Sequence, residues 1–264
     1  MRLRPPLVRA ALALTLALTG LAIAAPAQAA PALTYAALGD SYSSGTGAPP
    51  YDSSGCERSQ RAYAPLWASA NAVTSFRFVA CSGAVTADVR NNQVSALDTS
   101  VNRVTITIGG NDAGFASVLT TCQLGSDSAC ATAVNNGKAF ASNQLPARLD
   151  QTYAAIRSRA PSARLIVLGY PRIFELTSSC GLFGMSLYKR TVINSGADHL
   201  ASVIAARAAA AGATYVDVRS AFAGHGVCAG SPWINGLTLN SSAYHPNANG
   251  YRYGYLAALT AAGV

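Results

Sequence analysis

Ala37-Leu38-Gly39-Asp40-Ser41-Tyr42-Ser43-Ser44-Gly45 is the stretch on which the reading of this chain turns. An apolar run, Leu33 to Leu38, ends there abruptly in Gly, Asp and Ser, so a buried strand is followed by a sharp turn. In an open α/β sheet, ligands bind in the crevice outside the carboxyl ends of the strands. A serine in that place, Ser41, is a candidate nucleophile. The same residue types also build ordinary turns, so the remainder of the chain has to decide between the two readings.

Toward the N-terminus, Arg2, Arg4 and Arg9 precede an apolar core from Ala10 to Ala25, which is followed by Ala27-Gln28-Ala29. A basic region, an apolar core and a small-residue cleavage site are the parts of a secretory signal peptide. It is expected to occupy residues 1–30, and its uncharged run is short for a bilayer span of about 20 residues. No linker, repeat or second long apolar stretch divides residues 31–264, which are read as a single catalytic domain with a substantial core. Without the three leader arginines, the 19 basic residues fall to 16 against 11 acidic ones, a formal charge of +5 rather than +8. The basic residues are scattered singly, which argues against a nucleic-acid partner and leaves only a transient contact with lipid surfaces. A monomer is expected.

Six cysteines, at positions 56, 81, 122, 130, 180 and 228, form an even set in an exported chain, so three disulfides are expected. Spacing does not choose among the fifteen pairings six cysteines allow; the simplest nesting joins Cys56 to Cys81, Cys122 to Cys130 and Cys180 to Cys228. No Cys-x-x-Cys occurs, and His199, His225 and His245 lack zinc-like spacing, so neither a metal nor a cofactor is expected.

Strand and helix signals alternate downstream, which predicts an α/β fold: a three-layer α/β/α sandwich with a central, mainly parallel five-stranded sheet. Phe76 to Ala80, Val101 to Ile108, Arg164 to Gly169 and Ala213 to Val218 are read as strands two to five. Ala131 to Ala160 carries a helical pattern interrupted near Pro146, and Leu187 to Ala211 and Asn247 to Ala262 are two further helices. Chemistry-bearing residues follow the strands. Cys81-Ser82-Gly83-Ala84 comes after the second and Gly109-Gly110-Asn111-Asp112 after the third. The Gly83 backbone amide and the Asn111 side-chain amide are both able to donate to an oxyanion. Ahead of the last helix, Ala243-Tyr244-His245-Pro246 offers a neutral imidazole that can take a proton from a serine.

With those four blocks in order, Gly39-Asp40-Ser41, Gly83, Gly110-Asn111-Asp112 and His245-Pro246, the chain resembles secreted actinobacterial lipases and esterases of the SGNH, or GDSL, hydrolase family. The resemblance runs from Leu33 to the final helix and implies the flavodoxin-like fold of that family. It implies Ser41 as nucleophile, His245 as general base, and the Ser41 and Gly83 amides with the Asn111 side chain as oxyanion hole. It also supports the nested disulfide pairing. One position departs from the pattern. Family members usually carry Asp-x-x-His, whereas here Ser242 stands in the Asp position, and no acid occurs anywhere in Gly224–Val264. The expectation is therefore a Ser41–His245 dyad whose imidazole Nδ1–H donates to a backbone carbonyl, that of Ser242.

Other residues are assigned plainer parts. Asp40 is read as a turn-former or N-cap, Asp112 as a structural acceptor that holds its loop, and His199 and His225 as non-catalytic. Ser186-Leu187-Tyr188-Lys189 matches Ser-x-x-Lys without its companion motifs, and the Gly-x-Ser-x-Gly elbow of α/β-hydrolases is missing. The expected function is hydrolysis of carboxylic esters of acyl lipids by a secreted serine hydrolase, with the substrate groove lined by Tyr42, Phe115, Phe183 and Trp233. The same machinery would serve a phospholipase A or a carbohydrate deacetylase. A non-catalytic binding module on the same fold is the reading from another class, and four intact blocks speak against it.

Overall fold

Five strands among the described residues, β1 (Thr34–Gly39), β2 (Ser75–Phe78), β3 (Arg103–Thr107), β4 (Arg164–Leu168) and β5 (Thr214–Val216), form a parallel sheet in the order β2-β1-β3-β4-β5. The computed structural model describes residues 1–2, 32–181 and 184–263. Two units are distinguished, Met1–Pro31 and Ala32–Val264, and the sheet belongs to the second. Nearly all of the expected signal peptide, and Phe183 of the expected groove, lie outside the described residues.

Strands β1, β3 and β4 are buried almost along their length, as parallel strands covered on both faces must be. From β1 the chain crosses to β2 on one side and then returns to β3 on the other. The order reverses between β1 and β3, which makes their carboxyl ends the topological switch point where such sheets open a crevice. Gly39 ends β1 at φ +120°, and a Cβ there would sit 2.3 Å from the Thr107 carbonyl oxygen. Only glycine permits so close an approach of β1 to β3.

Helices α1 (Ser41–Ser44), α2 (Tyr63–Ala70), α3 (Thr86–Asp88), α4 (Phe115–Leu124), α5 (Asp127–Asn143), α6 (Leu145–Arg159), α7 (Leu187–Ala210) and α8 (Ala257–Ala261) surround the sheet. Pro146 falls in the first turn of α6, where its missing N–H is no loss, and so marks the break between α5 and α6. The final helix starts as a wide turn over Gly250–Leu256 before α8. Ser186 is the N-cap of α7, its hydroxyl accepting the Lys189 N–H at 3.2 Å, so the Ser-x-x-Lys spacing is a helix start. Helices α2, α3 and α4 have no counterpart among the elements expected from sequence. They are short, and too few turns of apolar periodicity accumulate in them to stand out.

Disulfides join Cys56 to Cys81, Cys122 to Cys130 and Cys180 to Cys228, the nested set. The second ties α4 to α5. The first ties the loop after β2 to the segment that follows α1, next to the candidate site.

Candidate active site

Ser41 is the first residue of α1, directly beyond the carboxyl end of β1. Its position is over-determined by the residue before it. The Asp40 carboxylate is buried, accepts the Tyr42 N–H at 3.0 Å and the Thr107 hydroxyl at 2.6 Å, and takes a short hydrogen bond from the Tyr170 hydroxyl. Burial pushes its pKa up to about 6, against the pull of the Thr107 and Tyr170 bonds. With its lone pairs spent on a helix cap and two hydroxyls, Asp40 is the N-cap the sequence suggested. Gln93, which no sequence signal picks out, grips both sides of Gly39: its amide oxygen accepts the Gly39 N–H at 2.7 Å and its amide nitrogen donates to the Gly39 carbonyl at 2.9 Å.

His245 reaches Ser41 across 204 residues of sequence, Nε2 lying 2.8 Å from the serine Oγ. Its Nδ1–H donates to the carbonyl of Ala243 at 2.9 Å. This corrects the assignment to Ser242, whose carbonyl accepts the backbone N–H of His245 itself at 3.2 Å. The cause is local backbone geometry: Tyr244 adopts φ +60°, a left-handed turn that curls the Ala243 carbonyl toward the imidazole. A tyrosine in that region is strained. It is held by the Tyr42 hydroxyl donating to its carbonyl at 2.7 Å and by its own hydroxyl donating to Gln123 at 2.8 Å. Because Nδ1 donates to the Ala243 carbonyl, Nε2 presents its free lone pair to the Ser41 hydroxyl. Burial lowers the His245 pKa to about 4, opposed by the Ala243 carbonyl and by the charge of Glu57. The rings of Tyr42 and Phe115, centred 5.1 and 6.4 Å away, are part of that apolar wall. No sequence signal singles out Glu57. It follows Cys56 of the disulfide, and its Oε2 is buried without a hydrogen-bond partner.

Two of the three expected oxyanion donors come from the loops after β2 and β3. Gly83 has φ +81°, and nothing lies within 4 Å of where its Cβ would be, so its face is open to a ligand. Its loop is pinned by the Cys81 N–H to the Gly39 carbonyl and the Ser82 N–H to the Cys56 carbonyl, both at 3.0 Å. The Asn111 amide donates one hydrogen to the Ala84 carbonyl at 3.0 Å and keeps a second. Ser41 contributes one of the helix-start amides that lack an intrahelical acceptor. Ser41, Gly83, Asn111 and His245 all line one open cleft of about 410 Å³. Asp112 accepts the Thr86 N–H and hydroxyl at 2.9 and 2.7 Å and so ties the third loop to α3, a structural part.

A second, narrow cavity of about 80 Å³ also begins at Ser41 and Asn111 and runs between α4, α5 and α7 past Phe115, Leu119, Val134 and Ile193. Tyr42 and Phe115 line it, as the sequence suggested. Trp233 does not follow its expectation: its ring stacks flat on His225, 3.6 Å between centroids, with Phe222 and Tyr253 beside it. His199 pairs with the Ser142 hydroxyl. Among the described residues, no three His, Cys, Asp or Glu side chains gather as metal ligands.

The sequence profile of the GDSL-like lipase/acylhydrolase family matches residues 37–253, from β1 through His245 into the last helix. The chain belongs to the GDSL-like lipase/acylhydrolase family. This family member is 49% identical over 251 residues to Lipase 1 of Streptomyces coelicolor, covering 93% of this chain and 92% of the relative. Its fold is similar to that of the extracellular lipase of Streptomyces rimosus, with a TM-score of 0.85 at 49% identity over 88% of this chain and all of that one. Phospholipase A1 of Streptomyces albidoflavus is as similar, with a TM-score of 0.85 at 50% identity over 87% of this chain and 99% of that one. As a GDSL acylhydrolase the protein is a carboxylic ester hydrolase on a five-stranded parallel α/β fold.

Proposed function

We propose that the protein is a secreted lipase that cleaves fatty acyl esters with a Ser41–His245 dyad. The observation that carries this reading is the pairing of two spaces at one serine: a narrow apolar cavity suited to an acyl chain, and a wide cleft suited to the alcohol. Ser41 Oγ attacks the ester carbonyl as its proton passes to His245 Nε2, 2.8 Å away. The carbonyl oxygen becomes an oxyanion that accepts from the Ser41 and Gly83 amides and the Asn111 side chain. His245 then protonates the departing alkoxide, and water, deprotonated by the same imidazole, releases the acid. The Ala243 carbonyl holds the tautomer and steadies the imidazolium with a dipole. Export is supported by the leader sequence of residues 1–30 and by the three disulfides. Exposed Leu124 and Leu237 on the cleft wall and Leu239 beside them would meet a lipid surface while the protein acts as a monomer.

A phospholipase A1 reading is favoured by one feature, the polar lining of the cleft by Ser82, Gln123, Thr238 and Asn240, which suits a polar head group. The test is turnover of p-nitrophenyl esters of graded chain length, triacylglycerol and phosphatidylcholine, with and without a serine-directed organophosphonate. Ester turnover abolished by the reagent, with the label on Ser41, is expected. Hydrolysis restricted to phosphatidylcholine would replace the lipase reading, and no ester turnover by oxidised protein would end both.

The free-enzyme pH profile follows from the environment of His245. A base whose pKa is lowered to about 4 is neutral, and competent, from about pH 5 upward. The acid limb of kcat/KM is therefore expected near pH 4, well below the ordinary histidine value of about 6.5. A limb near 6.5 would show a solvated imidazole, and one near 6 that vanishes in Asp40→Asn would belong to Asp40 instead.

Among the described residues no carboxylate hydrogen-bonds to His245, so side-chain changes at the nearby acids and at Ser242 should cost little. Ser242→Ala, Asp112→Asn and Glu57→Gln are each expected to keep kcat within about tenfold. A folded variant among them that lost about 10⁴, the scale of a disabled triad acid, would show that a side chain completes the catalytic unit.

A further inference from the structure

Between α5 and α7 the narrow cavity is walled by side chains at helical spacing, Val134 and Ala141 from one helix and Ile193 and Leu200 from the other, with Gly137 and Gly196 facing the same space. The two glycines have different reasons to be there. A Cβ on Gly137 would stand 3.1 Å from the Ala113 carbonyl oxygen, so the close passage of that loop accounts for it. A Cβ on Gly196 would meet a single neighbour, a Val134 methyl at 3.2 Å, and otherwise the cavity. Gly196 sits inside a 24-residue helix with no left-handed φ, so its backbone makes no demand for glycine. Glycine is also among the poorest residues for a helix interior. The space itself is what its missing side chain preserves.

We propose that Gly196 is a specificity-determining residue, which keeps the inner part of the acyl cavity open and so sets how long an acyl chain the enzyme takes. This rests on the reading of that cavity as the acyl site. The volume sets the scale. An apolar cavity of about 150 Å³ takes up a benzene ring, so the 80 Å³ here has room for roughly three carbons in the resting enzyme. The four side-chain carbons of a leucine at position 196 are enough to fill it. An ester of acetic acid needs only the mouth of the cavity beside Ser41, whereas longer chains need its depth.

The experiment compares wild type, Gly196→Ala and Gly196→Leu on p-nitrophenyl esters from acetate to palmitate, with melting temperatures measured alongside. Gly196→Leu is expected to lower kcat/KM for chains of four carbons or more by about 100-fold, within the range for excluding apolar groups from a pocket. Acetate turnover should stay within about threefold. Gly196→Ala is expected to fall between the two on long chains while melting close to wild type, because alanine is the better helix former but has to displace a Val134 methyl 3.2 Å away. Loss of activity equal at every chain length, with a lowered melting temperature in the alanine variant, would show that Gly196 serves packing and overturn the proposal. An unmoved chain-length profile in folded variants of an active enzyme would overturn it alone, whereas no ester turnover by wild type would overturn the proposed activity and this role with it.

Discussion

Ser41→Ala, His245→Ala and the double variant are each expected to lower kcat by about 10⁶, with the double no worse than either single. Removing one member of a nucleophile–base pair disables the whole unit, so the losses do not add. Here the pair is joined by one 2.8 Å hydrogen bond between Oγ and Nε2, and without the base the serine keeps its proton at neutral pH. Neither substitution should unfold the chain. Asp40, the N-cap of α1, hydrogen-bonds the Tyr42 amide and leaves the cap intact when Ser41 loses its hydroxyl. The loop carrying His245 is held through backbone bonds to Asn235 and by Tyr42 on the Tyr244 carbonyl. Residual turnover, measured with near-ultraviolet circular dichroism as the check on folding, decides the point. A folded Ser41→Ala variant retaining more than about a per cent of wild-type kcat would mean that another group is the nucleophile. Losses that multiplied in the double variant would mean that the two residues act independently.

Asn111→Ala is expected to lower kcat by about 10² to 10³ while leaving KM nearly unchanged. Its amide is oriented by the Ala84 carbonyl at 3.0 Å, which leaves its other hydrogen for the cleft. A bond to the oxyanion matters when charge has developed on the oxygen, so its loss appears in kcat rather than in ground-state binding. The Gly83 and Ser41 amides remain in that variant, which is why the loss stays well short of that at Ser41. A raised KM with unchanged kcat would place Asn111 in substrate binding, and Asn111→Asp, which removes the donor but keeps the shape, should be as damaging as alanine. Full activity in Asn111→Asp would exclude the donor role.

Much of the site is legible in the sequence because its parts follow strands. β-branched and apolar runs mark the strands of a buried parallel sheet by themselves, and the blocks carrying Ser41, Gly83 and Asn111 come immediately after three of them. Since strand ends share one edge of such a sheet, the order of strands and blocks along the chain already implies that the blocks converge. The cysteine pairs are the simplest of the fifteen sets that spacing leaves open, and the family resemblance supports them. Helices α2, α3 and α4 are not legible, since each is too short for its apolar period to rise above the surrounding loop.

Sequence by itself thus determined the sheet, the candidate nucleophile and base, and the lack of an acid in the loop that carries His245. Tertiary structure alone decided which carbonyl serves the imidazole. The choice of Ala243 over Ser242 depends on one backbone angle at Tyr244, and that angle is imposed by Tyr42 and Gln123, residues more than a hundred positions away. It also decided where the narrow cavity runs, because a space between α4, α5 and α7 is the property of three packed helix faces and of no single segment. Local composition reports on backbone conformation over a few residues; a hydrogen-bond partner or a void depends on what the rest of the chain packs against it.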